Sequence, residues 1–209
     1  SKAMIATGGA VSATKRFAGM GLEQHVAEID VDHLAERIDG IRTRLENTTT
    51  QLLDSQGIRM IRGEASFVDP HTVVVRTSAG EERIEGDAFI IATGSRPRIP
   101  QWCTPDGERI LTTRECYPPK IFPQSIAVVG SGVTGVEFVH MFSSFGAKVS
   151  LIVSRQQVLP GKDPEAAAVL EETFLNKGVE LLKGARAESI ERIGDEVVVK
   201  CSDGREVRA

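Results

Sequence analysis

The sequence is poor in cysteine and in aromatic residues. Its 209 residues include three cysteines, one tryptophan and one tyrosine, and aromatic residues make up 5% of the chain. Cys103, Cys116 and Cys201 are odd in number, widely spaced and form no CxxC pair, which argues against a disulfide framework. We therefore expect reduced, structural thiols, as in a cytoplasmic protein.

Long apolar runs and long basic runs are also missing. No stretch approaches the ~18 apolar residues of a membrane-spanning helix, so no membrane span is expected. The formal net charge is −4 and the basic residues form no long run, which argues against nucleic acid as a partner. The four histidines show no metal-ligand spacing, so no metal site is predicted.

The length of the chain allows one large domain or two small ones, each with its own core. The sequence begins Ser-Lys without methionine and ends in an incomplete strand pattern at 205–208. We expect it to be an internal fragment of a longer protein.

The most informative segment is 125–146. An apolar run at 126–129 enters Gly130, Gly132 and Gly135, and an amphipathic helix pattern follows. This strand–turn–helix order is the context that the dinucleotide fingerprint requires. The first glycine permits a tight turn, the second lets the backbone approach a diphosphate, and the third lets the helix lie close to the strand. The first helical N–H groups would bind the diphosphate, so the segment predicts a nucleotide-binding βαβ unit rather than a plain glycine-rich turn.

The strand predicted at 148–153 ends without a carboxylate. An NAD site usually carries Asp or Glu here, about 20 residues after the fingerprint, to bind the ribose hydroxyls. In this chain Ser154 and Arg155 follow the strand. Ser154 can donate a hydroxyl, and the planar guanidinium of Arg155 can bind a 2′-phosphate. We therefore predict NADP(H) in preference to NAD(H); the alternative is that Arg155 is a solvated loop residue.

Hydrophobic periodicity predicts the remaining elements. Predicted helices cover 3–20, a segment from an N-cap at Asp32 to Gly57, and a segment from an N-cap at Asp163 to Gly178. Predicted strands are 58–61, 72–77, a buried strand at 87–92, and an antiparallel meander of 179–182, 187–193 and 196–201. Prolines between 97 and 123 mark a linker between two α/β pieces.

Several segments carry a family resemblance. Residues 87–97, Asp-Ala-Phe-Ile-Ile-Ala-Thr-Gly-Ser-Arg-Pro, closely resemble the "ATG" strand that joins the FAD and NAD(P) domains of two-dinucleotide flavoproteins. Residues 63–75 look like the adenine-contact loop and following strand of that family, and residues 1–6 resemble the segment after its redox cysteine pair. The chain is identified as a member of the flavoprotein pyridine nucleotide-disulfide oxidoreductase family, which is dihydrolipoamide dehydrogenase-like. Residues 105–111 and 165–174 look closest to its NAD(P)H:quinone reductase branch.

The resemblance implies an α/β, Rossmann-like, two-dinucleotide-binding flavoprotein fold. A partial FAD-binding domain would cover 1–120 and a partial NAD(P)-binding domain would cover 121–209. The implied cofactors are FAD and NAD(P)H, and the implied assembly is a homodimer of the full-length protein.

The resemblance also assigns residues to roles. Lys2 and Glu137 match a catalytic pair, a lysine beside flavin N5 and a glutamate near the nicotinamide, in which the ammonium would stabilise charge on reduced flavin. Ala65 would contact the FAD adenine through its backbone. Further FAD contacts are expected from Thr93, Gly94 and Ser95. The NAD(P) diphosphate would be lined by Gly130, Ser131, Gly132, Val133, Thr134 and Gly135.

Each role has a plain structural alternative. Lys2 could be a frayed terminal lysine, Glu137 a solvated helix residue, and residues 93–95 a tight turn required by packing. The chain also lacks the FAD fingerprint, the CxxxxC pair and the dimerisation domain of the family, and Cys103 is interpreted as an inert loop thiol.

Two classes of function follow. The first is an FAD-dependent oxidoreductase that transfers hydride from NAD(P)H to flavin and on to a quinone or disulfide acceptor. Soluble pyridine nucleotide transhydrogenase and mercuric reductase are related alternatives. The competing class is a non-catalytic NAD(P)H-binding redox sensor, which would not need the Thr93–Gly94 junction.

Overall fold

A parallel three-stranded sheet carries the glycine-rich segment. In the computed structural model, which describes residues 2–14, 20 and 29–209, its strands are β4 (Ser125–Val129), β5 (Lys148–Val153) and β6 (Glu180–Lys183), in the order β4-β5-β6. The crossover helices are α3 (Val133–Phe145) and α4 (Pro164–Asn176). The register joins Val129 to Ile152 and Val153 to Lys183, so the carboxyl ends of the strands lie at one edge.

This sheet corrects one prediction. Residues 179–182 were expected to open an antiparallel meander, but β6 pairs in parallel with β5. The reason is the connection, because a strand that follows a crossover helix returns in the same direction as the strand before it. The meander itself consists of β7 (Ala187–Ile193), β8 (Glu196–Cys201) and β9 (Glu206–Arg208).

The helices of this region have well-defined ends. Asp163 caps α4 as predicted, since its carboxylate accepts the Ala166 N–H at 2.9 Å, and Pro164 occupies the first turn. Gly146 ends α3 in the left-handed conformation, with φ 98°. Gly146 thus sets where α3 ends, and Asp163 sets where α4 begins.

The core lies between the sheet and its helices. It is formed by aliphatic and aromatic side chains with almost no exposure, among them Val139, Phe142, Leu151, Val153 and Phe174. Helix α1 (Lys2–Thr14) packs against α3, and a β-carbon at Gly8 would stand 3.0 Å from the β-carbon of Ser144. Helix α1 thus confirms the first part of the helix predicted over 3–20, whereas residues 15–19 lie outside the described residues.

By internal contacts the chain divides into a unit of residues 1–38 with 97–209 and a unit of residues 39–96. The second unit contains an antiparallel sheet of β1 (Glu64–Asp69), β2 (Thr72–Thr77) and β3 (Gly80–Glu85), in that order. The strand predicted at 72–77 is therefore confirmed as β2. Residues 63–75, expected to form a loop and a strand, instead form most of a β1–β2 hairpin.

Helix α2 (Val31–Ser55) begins one residue earlier than its predicted cap. Asp32 lies inside the first turn, and Asp30 caps the helix by accepting the His33 N–H at 2.9 Å. Leu34 is buried on the predicted apolar face, whereas Leu45 remains 63% exposed. The face predicted from periodicity is thus only partly covered in the described structure.

Two predicted strands do not form. Residues 58–61 and 87–92 adopt no regular structure, and Ile90 and Ile91 are 95% and 72% exposed. An apolar run becomes a strand only where a neighbouring strand offers backbone partners. In the part of the chain that the structure describes, neither run has such a partner.

The proline-rich segment 97–123 forms neither helix nor strand but is firmly held. The Asp106 carboxylate accepts the N–H groups of Glu108, Arg109 and Ile110 at 2.8–2.9 Å, and it pairs with Arg192 on β7 at 3.0 Å. Although burial acts to raise the pKa of Asp106, these four donors together lower it well below its usual range. The predicted linker is therefore anchored to the meander.

Two further properties bear on function. No helix among the described residues is long and apolar enough to cross a membrane. Within those same residues no three His, Cys, Asp or Glu side chains are grouped so that they could hold a metal ion.

Candidate dinucleotide site

The glycine-rich turn connects β4 to α3. Gly130 has φ +109°, a conformation that L side chains rarely adopt, and its N–H donates to the Ile152 carbonyl at 3.1 Å. The turn therefore remains tied to the neighbouring strand β5 while the chain leaves the sheet. This agrees with the tight turn predicted at Gly130.

Gly135 meets a different requirement. A β-carbon built at this position would overlap the carbonyl oxygen of Gly130. Because that oxygen belongs to the backbone of the turn, it cannot move aside as a flexible side chain would. The close approach of helix to strand predicted at Gly135 is present.

Gly132 faces open space. It is exposed, a β-carbon built there would meet nothing within 4 Å, and it is the N-cap of α3 with no side-chain hydrogen bond to the helix. Val133 and Thr134 follow it and are also exposed. The first N–H groups of a helix have no partner within the helix and carry its positive end. An anion that reaches this turn can therefore bind the backbone directly.

Ser131 joins the turn to the loop after β5. The residue is 6% exposed, and its carbonyl accepts the N–H of Leu159 at 2.7 Å. Leu159 itself has φ 50°, which is uncommon for a residue with a branched side chain. Sequence periodicity gave no indication of this link, because it depends on two backbone groups far apart in the chain.

Ser154 and Arg155 directly follow β5 and are both exposed. Since β4 and β5 run in parallel, these residues lie at the same sheet edge as the glycine turn. The carbonyl of Arg155 accepts the Gly184 N–H at 3.0 Å, which fixes its backbone. No carboxylate of the described chain lies within 4 Å of its guanidinium, so the cation is available to a ligand.

Glu137 and Lys2 are the predicted catalytic pair. Glu137 lies half-buried in the second turn of α3, and Lys2 is exposed at the start of α1. In the described structure no ion pair within 4 Å joins them, so the buried pair expected from the resemblance is not formed here. Both roles remain predictions.

A neighbour of Glu137 was missed in the sequence. Burial raises the pKa of the Tyr117 phenol, and the nearby Glu137 carboxylate raises it further. The Tyr117 ring also stacks on Phe138 with centroids 5.1 Å apart. The proline-rich segment thus places the Tyr117 ring against α3 at Phe138, the residue after Glu137, which no motif indicated.

The predicted FAD contacts lie in the unit of residues 39–96. Ala65 is exposed and lies on the edge strand β1, opposite Val75 on β2. The other three, Thr93, Gly94 and Ser95, are exposed in a segment without regular structure, and Gly94 has φ +73°. The contact of these residues with FAD remains a prediction.

The three cysteines are free. Burial, assisted by the charge of Glu115, raises the pKa of Cys116 to about 11, and burial also raises the pKa of Cys103 and of Cys201. Raised pKa values keep thiols protonated and weakly nucleophilic near neutral pH. This agrees with the interpretation of Cys103 as an inert thiol.

Comparison with known proteins gives sequence relatives that are named as dehydrogenases and reductases. NAD(P)H dehydrogenase (quinone) of Mycobacterium tuberculosis is 37% identical over an alignment that covers 99% of this chain and 44% of that protein. A mercuric reductase of Lysinibacillus sphaericus is 30% identical, with 99% of this chain and 38% of that protein covered. The chain spans less than half the length of these relatives.

Solved structures give the same result and confirm the predicted fold. The crystal structure of LpdA from Mycobacterium tuberculosis matches with a TM-score of 0.87 and 36% identity, covering 99% of this chain and 46% of that one. The flavoprotein disulfide reductase RclA from Escherichia coli matches with a TM-score of 0.71 and 25% identity, covering 83% and 40%. A family model described as pyridine nucleotide-disulphide oxidoreductase matches residues 2–209. The chain belongs to the pyridine nucleotide-disulphide oxidoreductase family.

Proposed function

We propose that the protein containing this chain is an FAD-dependent oxidoreductase that oxidises NAD(P)H and delivers the electrons to a quinone or disulfide acceptor. The observation that carries the proposal is the turn before α3. It combines a left-handed Gly130, a Gly135 position that excludes a β-carbon, and an uncovered Gly132 at the helix N-terminus. Membership of the family supports the flavin and the nicotinamide nucleotide.

The backbone of this turn would bind the diphosphate of the nucleotide. Exposed residues Gly132, Val133 and Thr134 offer N–H groups that lack helical acceptors, and the helix dipole adds positive potential. Because Gly132 has no side chain, the phosphate oxygens can approach those groups closely. Binding of the diphosphate would thus depend on backbone geometry rather than on a charged side chain.

Arg155 would select NADP(H) over NAD(H). Its guanidinium has no carboxylate partner in the described chain, and its backbone is fixed by a hydrogen bond from the N–H of Gly184, the residue after β6. A planar guanidinium binds a 2′-phosphate with two parallel hydrogen bonds, and Ser154 can add a third. The absence of an acidic residue at this position removes the repulsion that an NAD-type site would exert.

The FAD site would draw on residues of the unit 39–96. Ala65 lies on an edge strand of this sheet, and its small side chain leaves room for an adenine. Bound flavin would supply the hydride and electron chemistry. Glu137 would hold the nicotinamide end of the nucleotide, and Lys2 would supply positive charge near the flavin.

The acceptor, the assembly and the location are part of the same proposal. The relative that is 37% identical is a quinone-linked NAD(P)H dehydrogenase, which favours a quinone over a disulfide. A homodimer follows from the family resemblance. A cytoplasmic location is supported by three cysteines that remain free.

The test uses the purified full-length protein. We expect it to be yellow, to show flavin absorbance, and to oxidise NADPH when a quinone is supplied. The same assay with a disulfide in place of the quinone separates the two acceptors. A colourless protein that binds NADPH without consuming it would overturn the proposal and favour a redox sensor.

A further inference from the structure

The loop between β5 and α4, residues 154–162, is held to the rest of the unit at three points. The Arg155 carbonyl accepts the Gly184 N–H at 3.0 Å, and the Leu159 N–H donates to the Ser131 carbonyl at 2.7 Å. Between them, the Val158 N–H donates to the Glu171 carboxylate at 2.9 Å. The first two links join backbone to backbone, whereas the third depends on one side chain.

The surroundings of Glu171 stabilise its hydrogen bond with the Val158 N–H. Its side chain is 13% exposed, and its second oxygen accepts a hydrogen bond from the Lys183 ammonium at 2.7 Å. Val158 is fully buried, so its N–H is fixed, whereas Lys183 ends β6 and its side chain is 38% exposed. A carboxylate with both oxygens engaged has little rotational freedom, and the backbone N–H that it accepts would otherwise lack a partner in a mostly buried place.

The hydrogen bond between the Val158 N–H and Glu171 lies between two parts of the proposed nucleotide site. Val158 lies three residues after Arg155 and directly before Leu159, which contacts the glycine turn. Glu171 therefore fixes the loop between the residue proposed to bind a 2′-phosphate and the turn proposed to bind the diphosphate. These two groups of one nucleotide must be bound at the same time, so their separation affects affinity.

We infer that Glu171 is a positioning residue that holds Arg155 at the spacing a 2′-phosphorylated nucleotide requires, and so contributes to selectivity for NADP(H). This inference rests on the proposed function. Glu171 does not contact the nucleotide itself. Its effect passes through the Val158 N–H to the loop and reaches the ligand only by way of Arg155.

The test compares Glu171→Ala with Glu171→Gln in the full-length protein. Dissociation constants are measured for NADP⁺ and NAD⁺, which bind without being consumed. We expect Glu171→Ala to weaken NADP⁺ binding about tenfold, the effect of one lost hydrogen bond to a charged group, and NAD⁺ binding about twofold. Glu171→Gln keeps an oxygen for the Val158 N–H and is expected to restore most of the affinity for NADP⁺. Glu172→Ala, at the exposed neighbouring position, is the matched control and should leave both constants unchanged.

Combination with Arg155→Ala separates this inference from the proposed function. If Glu171 acts through Arg155, then Glu171→Ala changes the ratio of the two constants in the wild-type background but not in the Arg155→Ala background. An Arg155→Ala protein with an unchanged ratio overturns the proposed NADP(H) preference and the inference with it. The preference for NADP⁺ is the dissociation constant of NAD⁺ divided by that of NADP⁺. If this ratio falls in Arg155→Ala but not in Glu171→Ala, the inference alone is overturned.

A second variant covers the case in which Glu171→Ala does not fold. Lys183→Met removes the cation that orients Glu171 and leaves the loop sequence intact. We expect it to weaken NADP⁺ binding about threefold, less than the loss of the carboxylate itself, with a smaller effect on NAD⁺. Equal effects on the two nucleotides would contradict the positioning role.

Discussion

Gly130 and Gly135 belong to one turn but are required for different reasons. Gly130 is fixed by its dihedral angle of +109°, and Gly135 by the carbonyl oxygen of Gly130, which occupies the space of a β-carbon. Gly132 has neither constraint, since a β-carbon there would meet nothing. Stability therefore explains two of the three glycines, and for the third we propose ligand access.

Substitution of Gly135 and of Gly132 distinguishes the requirement for stability from the requirement for ligand access. We expect Gly135→Ala to lower the free energy of unfolding by about 1–3 kcal/mol, because the new methyl group forces the helix away from the turn. Urea denaturation of wild type and variant measures the difference. A Gly135→Ala variant as stable as wild type would mean that the helix and the turn can separate at no cost.

Gly132→Ala is the matched substitution in the same turn. We expect its free energy of unfolding to stay within about 0.5 kcal/mol of wild type, as for other surface changes. Its affinity for NADP⁺ should fall several-fold, because the methyl group stands where the diphosphate would approach the backbone. Calorimetric titration measures that affinity. Unchanged binding would place the diphosphate elsewhere.

At the scale of elements, one carboxylate of the proline-rich segment 97–123 accepts three backbone N–H groups and also pairs with β7. Asp106 is 27% exposed and joins its own loop to β7 through Arg192. We expect Asp106→Ala to lower the free energy of unfolding by about 1–2 kcal/mol at pH 7, because three backbone N–H groups lose their acceptor. Glu108→Ala is the control: it removes another carboxylate from Arg192 but no backbone bond, and should cost less than about 0.5 kcal/mol.

The same carboxylate gives a pH dependence of defined sign. The pKa of Asp106 is lower in the folded protein than its usual 3.8, so its ionised form stabilises the fold above that pH. That contribution is lost as the pH falls below 3.8 through the lowered folded value. The stability difference between wild type and Asp106→Ala should therefore be full at pH 7 and smaller at pH 3, as measured by urea denaturation at each pH. A difference that grows in acid would contradict the assignment.

Elements with local signals could be predicted from the sequence. The glycine turn with its flanking strand and helix, the Asp163 cap and the β7–β8 pair depend on residues close together in the chain. The strand expected at 87–92 does not form, because an apolar run does not reveal whether a partner strand is present. The direction of β6 was wrong for a similar reason, since periodicity carries no information on which strand is the neighbour.

The candidate site was predicted in part. Gly130, Gly135 and Arg155 have the surroundings that the motif implied. Tyr117 beside Glu137 and Glu171 beneath the β5–α4 loop were not foreseen, because each is brought in by packing between distant segments. Motifs specify the backbone that touches a ligand, whereas the residues that hold this backbone in place carry no sequence pattern of their own.

At the scale of the whole molecule, the glycine turn proposed to bind the nucleotide and the residues proposed to bind FAD, with the exception of Lys2, fall into different compact units. The glycine turn and the β5–α4 loop belong to the unit 1–38 with 97–209, and Ala65 and residues 93–95 belong to the unit 39–96. Binding of NADP⁺ to the full-length protein should therefore slow hydrogen exchange at 130–136 and 154–162 and leave β1 and β2 unchanged.

In Arg155→Ala, protection at 154–162 should weaken more than protection at 130–136, because the diphosphate contacts do not involve that side chain. Mass spectrometry of peptides after exchange measures both segments in one experiment. Protection of β1 on addition of NADP⁺, without protection at 130–136, would contradict the assignment of the nucleotide to the glycine turn.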